Sequence, residues 1–209
     1  MSGGGGSSKS QKRLTNLQLV PYVNDNGWTL PDNFLLAVAQ KTQEEGTFQH
    51  VFYDGDIRTP ADFLAMMKSS SNHAVFAFTG HKPVGFARLK ESKKRQKAVM
   101  MRRLVGFAWL NGIVKNRAFA HFCFLRNSWG KDTVKAGKQI IAYWRSFTDQ
   151  GGDPLFDVIF GVTPSAYRSA LKYIQRLGFV RMGVVPGMLL NVYAGERDSG
   201  VISYLSRLA

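Results

Sequence analysis

Apolar residues along the chain change period several times, and each change marks an element. Leu14 to Val20 alternate as a first strand that stops at Pro21, and Phe34, Leu35 and Val38 after Pro31 predict a short helix. Thr59-Pro60-Ala61-Asp62 combines an N-cap hydroxyl, a proline at the first helical position and an acid at the third, which predicts a helix from Pro60 to about Ser69. Ala74 to Thr79 then reads as a strand, Gly80-His81-Lys82-Pro83 as a turn, and Val84 to Leu89 as the returning strand of a hairpin. The hexapeptide VGFARL (Val84 to Leu89) recurs with one change as VGFAWL (Val105 to Leu110). Two copies are too few for a repeat architecture, which needs about three stacked units, so a long hairpin with a charged tip fits better.

Val105 to Leu110 and Arg117 to Arg126 predict two antiparallel strands joined by a short connection. In the second, Phe119, His121, Cys123 and Leu125 share one face and Ala118, Ala120, Phe122 and Phe124 the other; both are largely apolar, which predicts a central strand. A loop of Ser128, Trp129, Gly130 and Lys131 follows. After it Val134, Ile140, Ile141, Trp144 and Phe147 have the spacing of a core-facing helix that ends around Asp149 to Gly152. Phe156 to Val162 is a short buried strand, and Thr163-Pro164 again offers an N-cap and an N1 proline. Tyr167, Ala170, Leu171, Ile174 and Leu177 make a helical apolar face ending at Gly178. Phe179 to Val185 and Leu189 to Ala194 are expected to close the sheet as an antiparallel pair. The order predicts an α+β layout with a mixed, mostly antiparallel sheet flanked by helices.

Two segments within this order resemble the GNAT superfamily of acyl-CoA-dependent N-acyltransferases. In that family the central strand ends at an Arg/Gln-x-x-Gly-x-Gly/Ala loop whose amides, at the start of the next helix, bind the cofactor pyrophosphate, as helix N-termini bind anions. The aligned residues here are Asn127, Gly130 and Asp132, so only the first glycine is kept, and Ser128-Trp129-Gly130-Lys131 looks like the W-G-K variant of GNAT enzymes that acetylate ribosomal-protein N-termini. The second segment, YRSALKYIQRLGF (Tyr167 to Phe179), is similar to the family's Asn-x-x-Ala/Ser-helix-Leu-Gly-Phe segment beside the pantetheine. Ala170, Leu177, Gly178 and Phe179 match; Tyr167 stands where the family has Asn, and Ile174 where many members have the tyrosine that protonates the leaving thiolate. Tyr173 is the nearest hydroxyl, about 100° around the helix. The run from FAHFCF through WGKD to VTP, LGF and GVVPGM also looks like phage-encoded GNAT-like proteins, some linked to virion or head assembly. Together the resemblance covers roughly residues 70 to 195.

It implies acetyl-CoA or a related acyl-CoA as cofactor and transfer of the acyl group to an amine. The implied cofactor-binding residues are Phe124, Leu125, Arg126, Trp129, Gly130, Lys131, Asp132, Thr133, Tyr167 and Ala170, with His121 and Tyr173 as catalytic candidates. His121 is the only titratable candidate on the central strand, and its unperturbed pKa suits a base near neutrality; the sequence favours the alternative, a histidine satisfied inside an aromatic core. Asp132 falls where phosphate arrives, so it either caps those amides and repels the anion or points elsewhere, with Lys131, Lys135 and Lys138 restoring the attraction. Trp129 reads as a lid on the cofactor or a plug beneath the loop, and the plug is preferred.

Composition narrows the setting. The 209 residues carry 28 Lys and Arg against 14 Asp and Glu, a net charge of +14 that favours anionic partners. Residues 90 to 103 hold seven basic side chains against Glu91, either a finger for nucleic acid or a solvated loop tip, the latter being favoured. Residues 1 to 13 are Gly/Ser-rich and then basic, read as a flexible arm before a single domain over 14 to 209. No apolar stretch is long enough to span a bilayer, and the lone Cys123 points to a reducing compartment, so a cytoplasmic protein is expected, virion-associated if phage-encoded. Gly130-Lys131-Asp132 lacks the upstream glycine and the Ser/Thr of a Walker A loop, and the four histidines are too scattered to propose a metal site.

Overall fold

A computed structural model describes residues 17–24, 27–80 and 103–207. Its strands are β1 (Leu17–Pro21), β2 (Val23–Asn24), β3 (Gly27–Trp28), β4 (His73–Thr79), β5 (Arg103–Val114), β6 (Arg117–Phe124), β7 (Val158–Pro164), β8 (Val180–Asn191) and β9 (Glu196–Ser206). The helices, numbered in chain order, are α1 (Asp32–Glu44), α2 (Phe48–Val51), α3 (Pro60–Lys68), α4 (Lys131–Arg145) and α5 (Arg168–Arg176). Seven strands form one mixed sheet in the order β1-β4-β5-β6-β7-β9-β8, and β2 pairs with β3 apart from it.

Alternation along β4, β5 and β6 divides the core between the two faces of this sheet. Phe76, Phe78, Phe107, Trp109 and Cys123 meet Leu35, Val38, Phe48, Phe52, Phe63 and Met67 of the N-terminal helical region. On the other face Val75, Leu110, Ala118 and Ala120 pack against Ala136, Ile140, Ile141 and Trp144 of α4 and Ile174 and Leu177 of α5. β6, apolar on both sides, is the fourth strand of seven, as its sequence predicts.

Several expectations hold locally. Thr59 and Asp62 form a reciprocal capping box at the start of α3: Thr59 Oγ1 accepts from the Asp62 amide at 3.1 Å and Asp62 Oδ2 accepts from the Thr59 amide at 2.8 Å. At the end of α5, Phe179 N–H donates to Ile174 O and Gly178 N–H to Gln175 O, the two bonds of a Schellman motif.

Others are corrected. The helix after Pro31 is not short but 13 residues long, and α4 stops at Arg145, earlier than Asp149. Thr163-Pro164 does not cap a helix: β7 continues through Pro164, which pairs with Gly200 of β9, and α5 begins at Arg168. A proline is tolerated there because β7 has by then lost β6 as a neighbour, so no ladder bond depends on the missing N–H. Val180–Asn191 is one irregular strand, not two halves of a hairpin, and its partner is β9, which the sequence reading left unassigned. The proposed return strand 84–89 and the basic segment up to 102 lie outside the described residues; within them, β4 pairs with β1 on one edge and β5 on the other.

The sheet's main irregularity is between β6 and β7. These parallel neighbours pair only at Arg117↔Val158, Ala118↔Ile159 and Phe119↔Phe160, although β6 runs on to Phe124 and β7 to Pro164. Beyond those pairs the strands diverge and leave a wedge within the sheet.

Candidate functional site

The wedge has two ends with different chemistry. Its outer end is the joint between β6 and α4. Leu125, buried, still donates its amide to Val105 O, and Arg126 to Ser128 then make a single tight turn. Gly130 has φ 121° and ψ −136°, a backbone open essentially to glycine, and from there the chain enters α4 at Lys131. No side chain caps α4: Thr133 Oγ1 donates backwards to Gly130 O at 2.8 Å instead of accepting from an amide. The first-turn amides therefore face outward with the positive end of the helix dipole behind them, an arrangement suited to an anion.

Asp132 does not occupy those amides. Its Oδ2 accepts from Arg103 Nη2 at 3.2 Å, so the carboxylate is held against the start of β5. Trp129 corrects the plug expectation: it is 59% exposed, with Nε1 donating to Phe124 O at 3.0 Å and Arg126 lying 5.9 Å from its ring centroid. An indole whose only polar group is satisfied by a carbonyl at the strand end presents a face to solvent. The Arg126 amide donates to Glu45 Oε2 at 2.8 Å, which ties the joint to the end of α1.

The inner end is a cavity of about 290 Å³ between β5, β6, β7, α5 and the loop after α2. Of the residues singled out from sequence, it gathers His121, Tyr167, Ala170 and Tyr173; Phe124 to Thr133 stay at the joint. His121 stacks on Trp109, with ring centroids 4.7 Å apart and planes 9° from parallel, and Trp109 stacks in turn on Phe52. The His121 Nε2 lies 3.1 Å from Asn111 Oδ1. Burial lowers its pKa to about 4, so the imidazole is neutral at physiological pH.

Tyr173 joins the two ends. It contacts Phe122 and Phe124 edge-on, and its hydroxyl donates to Thr133 O at 3.2 Å, with burial raising its pKa well above the usual phenol range. Gly137 makes this contact possible, because a Cβ there would run into the Tyr173 hydroxyl and the Leu177 methyls.

Sequence reasoning did not single out Tyr53, Asp54, Asp56 and Asn111, all in the cavity wall. The signal for three of them was present in Tyr53-Asp54-Gly55-Asp56, a turn with two acids in a strongly basic chain. Asn111 had none, since it reaches His121 only through the β5–β6 register.

No protein-family model matches the chain, and no curated protein matches it in sequence. Solved structures do match in shape. Spermidine N-acetyltransferase from Vibrio cholerae, in complex with CoA and spermine, superposes with a TM-score of 0.63 at 12% identity, over 92% of this chain and 96% of that one. Ribosomal-protein-S5-alanine acetyltransferase from Vibrio fischeri gives 0.59 at 12% identity, over 91% and 92%. Microcin C7 self immunity acetyltransferase MccE, in complex with acetyl-CoA and AMP, gives 0.55 at 13% identity, over 82% and 88%. The mixed sheet opened between β6 and β7, with helices on both faces, is the fold of the GNAT acetyltransferases, and this chain has that fold.

Proposed function

We propose that the chain is an acyl-CoA-dependent N-acyltransferase, with acetyl-CoA as donor, that moves an acetyl group to an amine by direct attack in a ternary complex. The observation that supports this most is the wedge between β6 and β7, with uncapped amides at its outer end and an aromatic cavity at its inner end. The amides after Gly130 fit the pyrophosphate of CoA, and the side of β6 that β7 leaves open beyond Phe119, running toward Phe124, Leu125 and Arg126, fits its amide-bearing arm. Acetyl-CoA supplies the activated acyl group as a thioester. In the cavity, His121 would accept a proton from the incoming ammonium: with Nε2–H donated to Asn111 Oδ1, the lone pair sits on Nδ1. Tyr173, whose hydroxyl proton is engaged by Thr133 O, would turn from that carbonyl to protonate the leaving thiolate.

Calorimetric titration with acetyl-CoA, with free CoA as control, tests the reading: absence of binding at millimolar concentration overturns it. Gly130→Glu should abolish binding while circular dichroism remains that of a folded chain.

A second reading, the same fold used without catalysis as a basic or virion-associated interaction protein, draws on one observation. His121 Nε2 and the Tyr173 hydroxyl are already engaged by partners inside the chain, Asn111 and Thr133. Acetyl-CoA binding without thiol release across a panel of amines would favour it. Nucleic-acid contact through residues 90 to 103 would be eliminated by DNA binding that ignores neutralisation of residues 93 to 97.

A further inference from the structure

We propose that β8 is the contact between two copies of this chain, related by a two-fold axis that passes close to Met182 and Gly183. β8 is the outermost strand of the sheet, with β9 as its one strand neighbour there. Fourteen large apolar side chains are exposed among the described residues, and six of them, Val180, Met182, Val184, Val185, Met188 and Leu190, stand on this strand, between 38% and 68% exposed. Val184 and Val185 pair with Val201 and Gly200, so they point to opposite faces of the sheet, yet both are bare. A strand that is apolar on both faces has the composition of a sheet interior, whereas edges left to solvent ordinarily carry charge. Arg181 is the only charged residue from Val180 to Asn191.

Area, charge and closure all select a second copy as the occupant. At their fractional exposures the six side chains present roughly 500–600 Å², the size of a whole interaction patch, and two such strands together reach the ~1,000 Å² of a specific interface. The chain carries a net charge of +14, so an acidic partner is drawn to its basic surfaces, while two copies repel least where the surface is nearly uncharged. β8 shifts register between Arg181 and Gly183 and again between Val185 and Leu189, a stretch that contains Pro186, so it offers no long ladder for run-on pairing. Set against itself, β8 closes as a pair; set against β1 at the other edge of the sheet, it would repeat head to tail without end. With the two strands antiparallel about the axis, Met182 meets Gly183 of the partner subunit, and no atom of the chain lies within 4 Å of where a Cβ on Gly183 would stand. The flexible thioether side chain suits that space, and Arg181 faces Val184 of the partner subunit, which keeps the two cations apart.

The test is sedimentation velocity of the full chain without any acyl donor. Monomer should give way to dimer between about 1 and 200 µM, as for an interface at the small end of the specific ones, and added salt should strengthen the pair by screening two like-charged chains. Met182→Lys and Met182→Glu should each stay monomeric at the top of that range with the circular dichroism of the parent, and an equimolar mixture of the two should dimerise. Oxidation of Met182 and Met188 by dilute hydrogen peroxide, read by mass spectrometry, should slow several-fold as the parent is concentrated. A parent that is monomeric throughout, a dimer that either variant keeps, a mixture that stays monomeric, or oxidation rates independent of concentration, as when another part of the chain covers β8, would overturn the proposal. Because no acyl donor is present, failure of acetyl-CoA to bind leaves this result intact, and the reverse also holds.

Discussion

Arg103 holds the Asp132 carboxylate to the side of the helix whose first turn Asp132 occupies: Nη2 and Oδ2 are 3.2 Å apart, across an interval of 29 residues. The carboxylate that in sequence threatened the anion site is thus engaged sideways by the start of β5. Breaking the pair should have a small effect on stability and a larger one on binding. Arg103→Ala should change unfolding free energy by no more than about 1 kcal/mol, since both side chains are partly exposed. CoA affinity should fall several-fold as the freed carboxylate turns toward the amides, and Arg103→Ala/Asp132→Asn should recover it. Urea denaturation and calorimetry on the three variants check both halves.

Gly130 should be sensitive even to the smallest side chain. At φ 121° a Cβ is strained whatever space surrounds it, and no atom lies within 4 Å of where it would stand. Gly130→Ala should therefore cost about 1–3 kcal/mol through the backbone alone, measured as a shift in the urea midpoint with an unchanged slope.

Gly137 is restricted for the opposite reason. Its added Cβ would collide with the Tyr173 hydroxyl and lie 2.8 Å from Leu177 Cδ2. Gly137→Ala should destabilise by about 1–3 kcal/mol through overpacking. Adding Tyr173→Phe removes one of the two collisions, so the double variant should be more stable than the sum of the single changes, a non-additivity that a double-mutant cycle reads directly.

His121 makes acid stability a test of its environment. Its pKa is about 4 in the folded chain against an ordinary value of 6.5, so between those pH values the unfolded chain binds a proton that the folded chain refuses. The stabilisation is complete above pH 6.5, is lost as pH falls toward 4, and flattens below. His50 and His73 are shifted the same way by burial and share the slope. His121→Gln should flatten the pH dependence of unfolding between 4 and 6.5 more than either of the other His→Gln changes.

What the sequence made legible was local. The capping box of Thr59 and Asp62 and the Schellman ending at Gly178 depend on residues within one turn, and both formed as read. Thr163-Pro164 carried the same helix-start signature as Thr59-Pro60, but pairing with Val201 and Gly200 overrode it. The run SGVISYLS in β9 finds its partner only once Val180–Asn191 forms a single strand, and that pairing is not written in either segment alone. The joint at Gly130 could be found from its place between a strand and a helix. The fate of Asp132 could not, because its partner, Arg103, belongs to β5, and the cavity wall at Asp54 and Asp56 comes from a loop outside both segments that carry the resemblance.

The three-pair contact between β6 and β7 has one more consequence. Past Phe119 and Phe160 the two strands are like a ladder whose rungs have been taken out, and an oily guest would leave their peptide groups wanting. The molecule best able to lie there brings its own amides and becomes, for the time it is bound, a strand of the sheet.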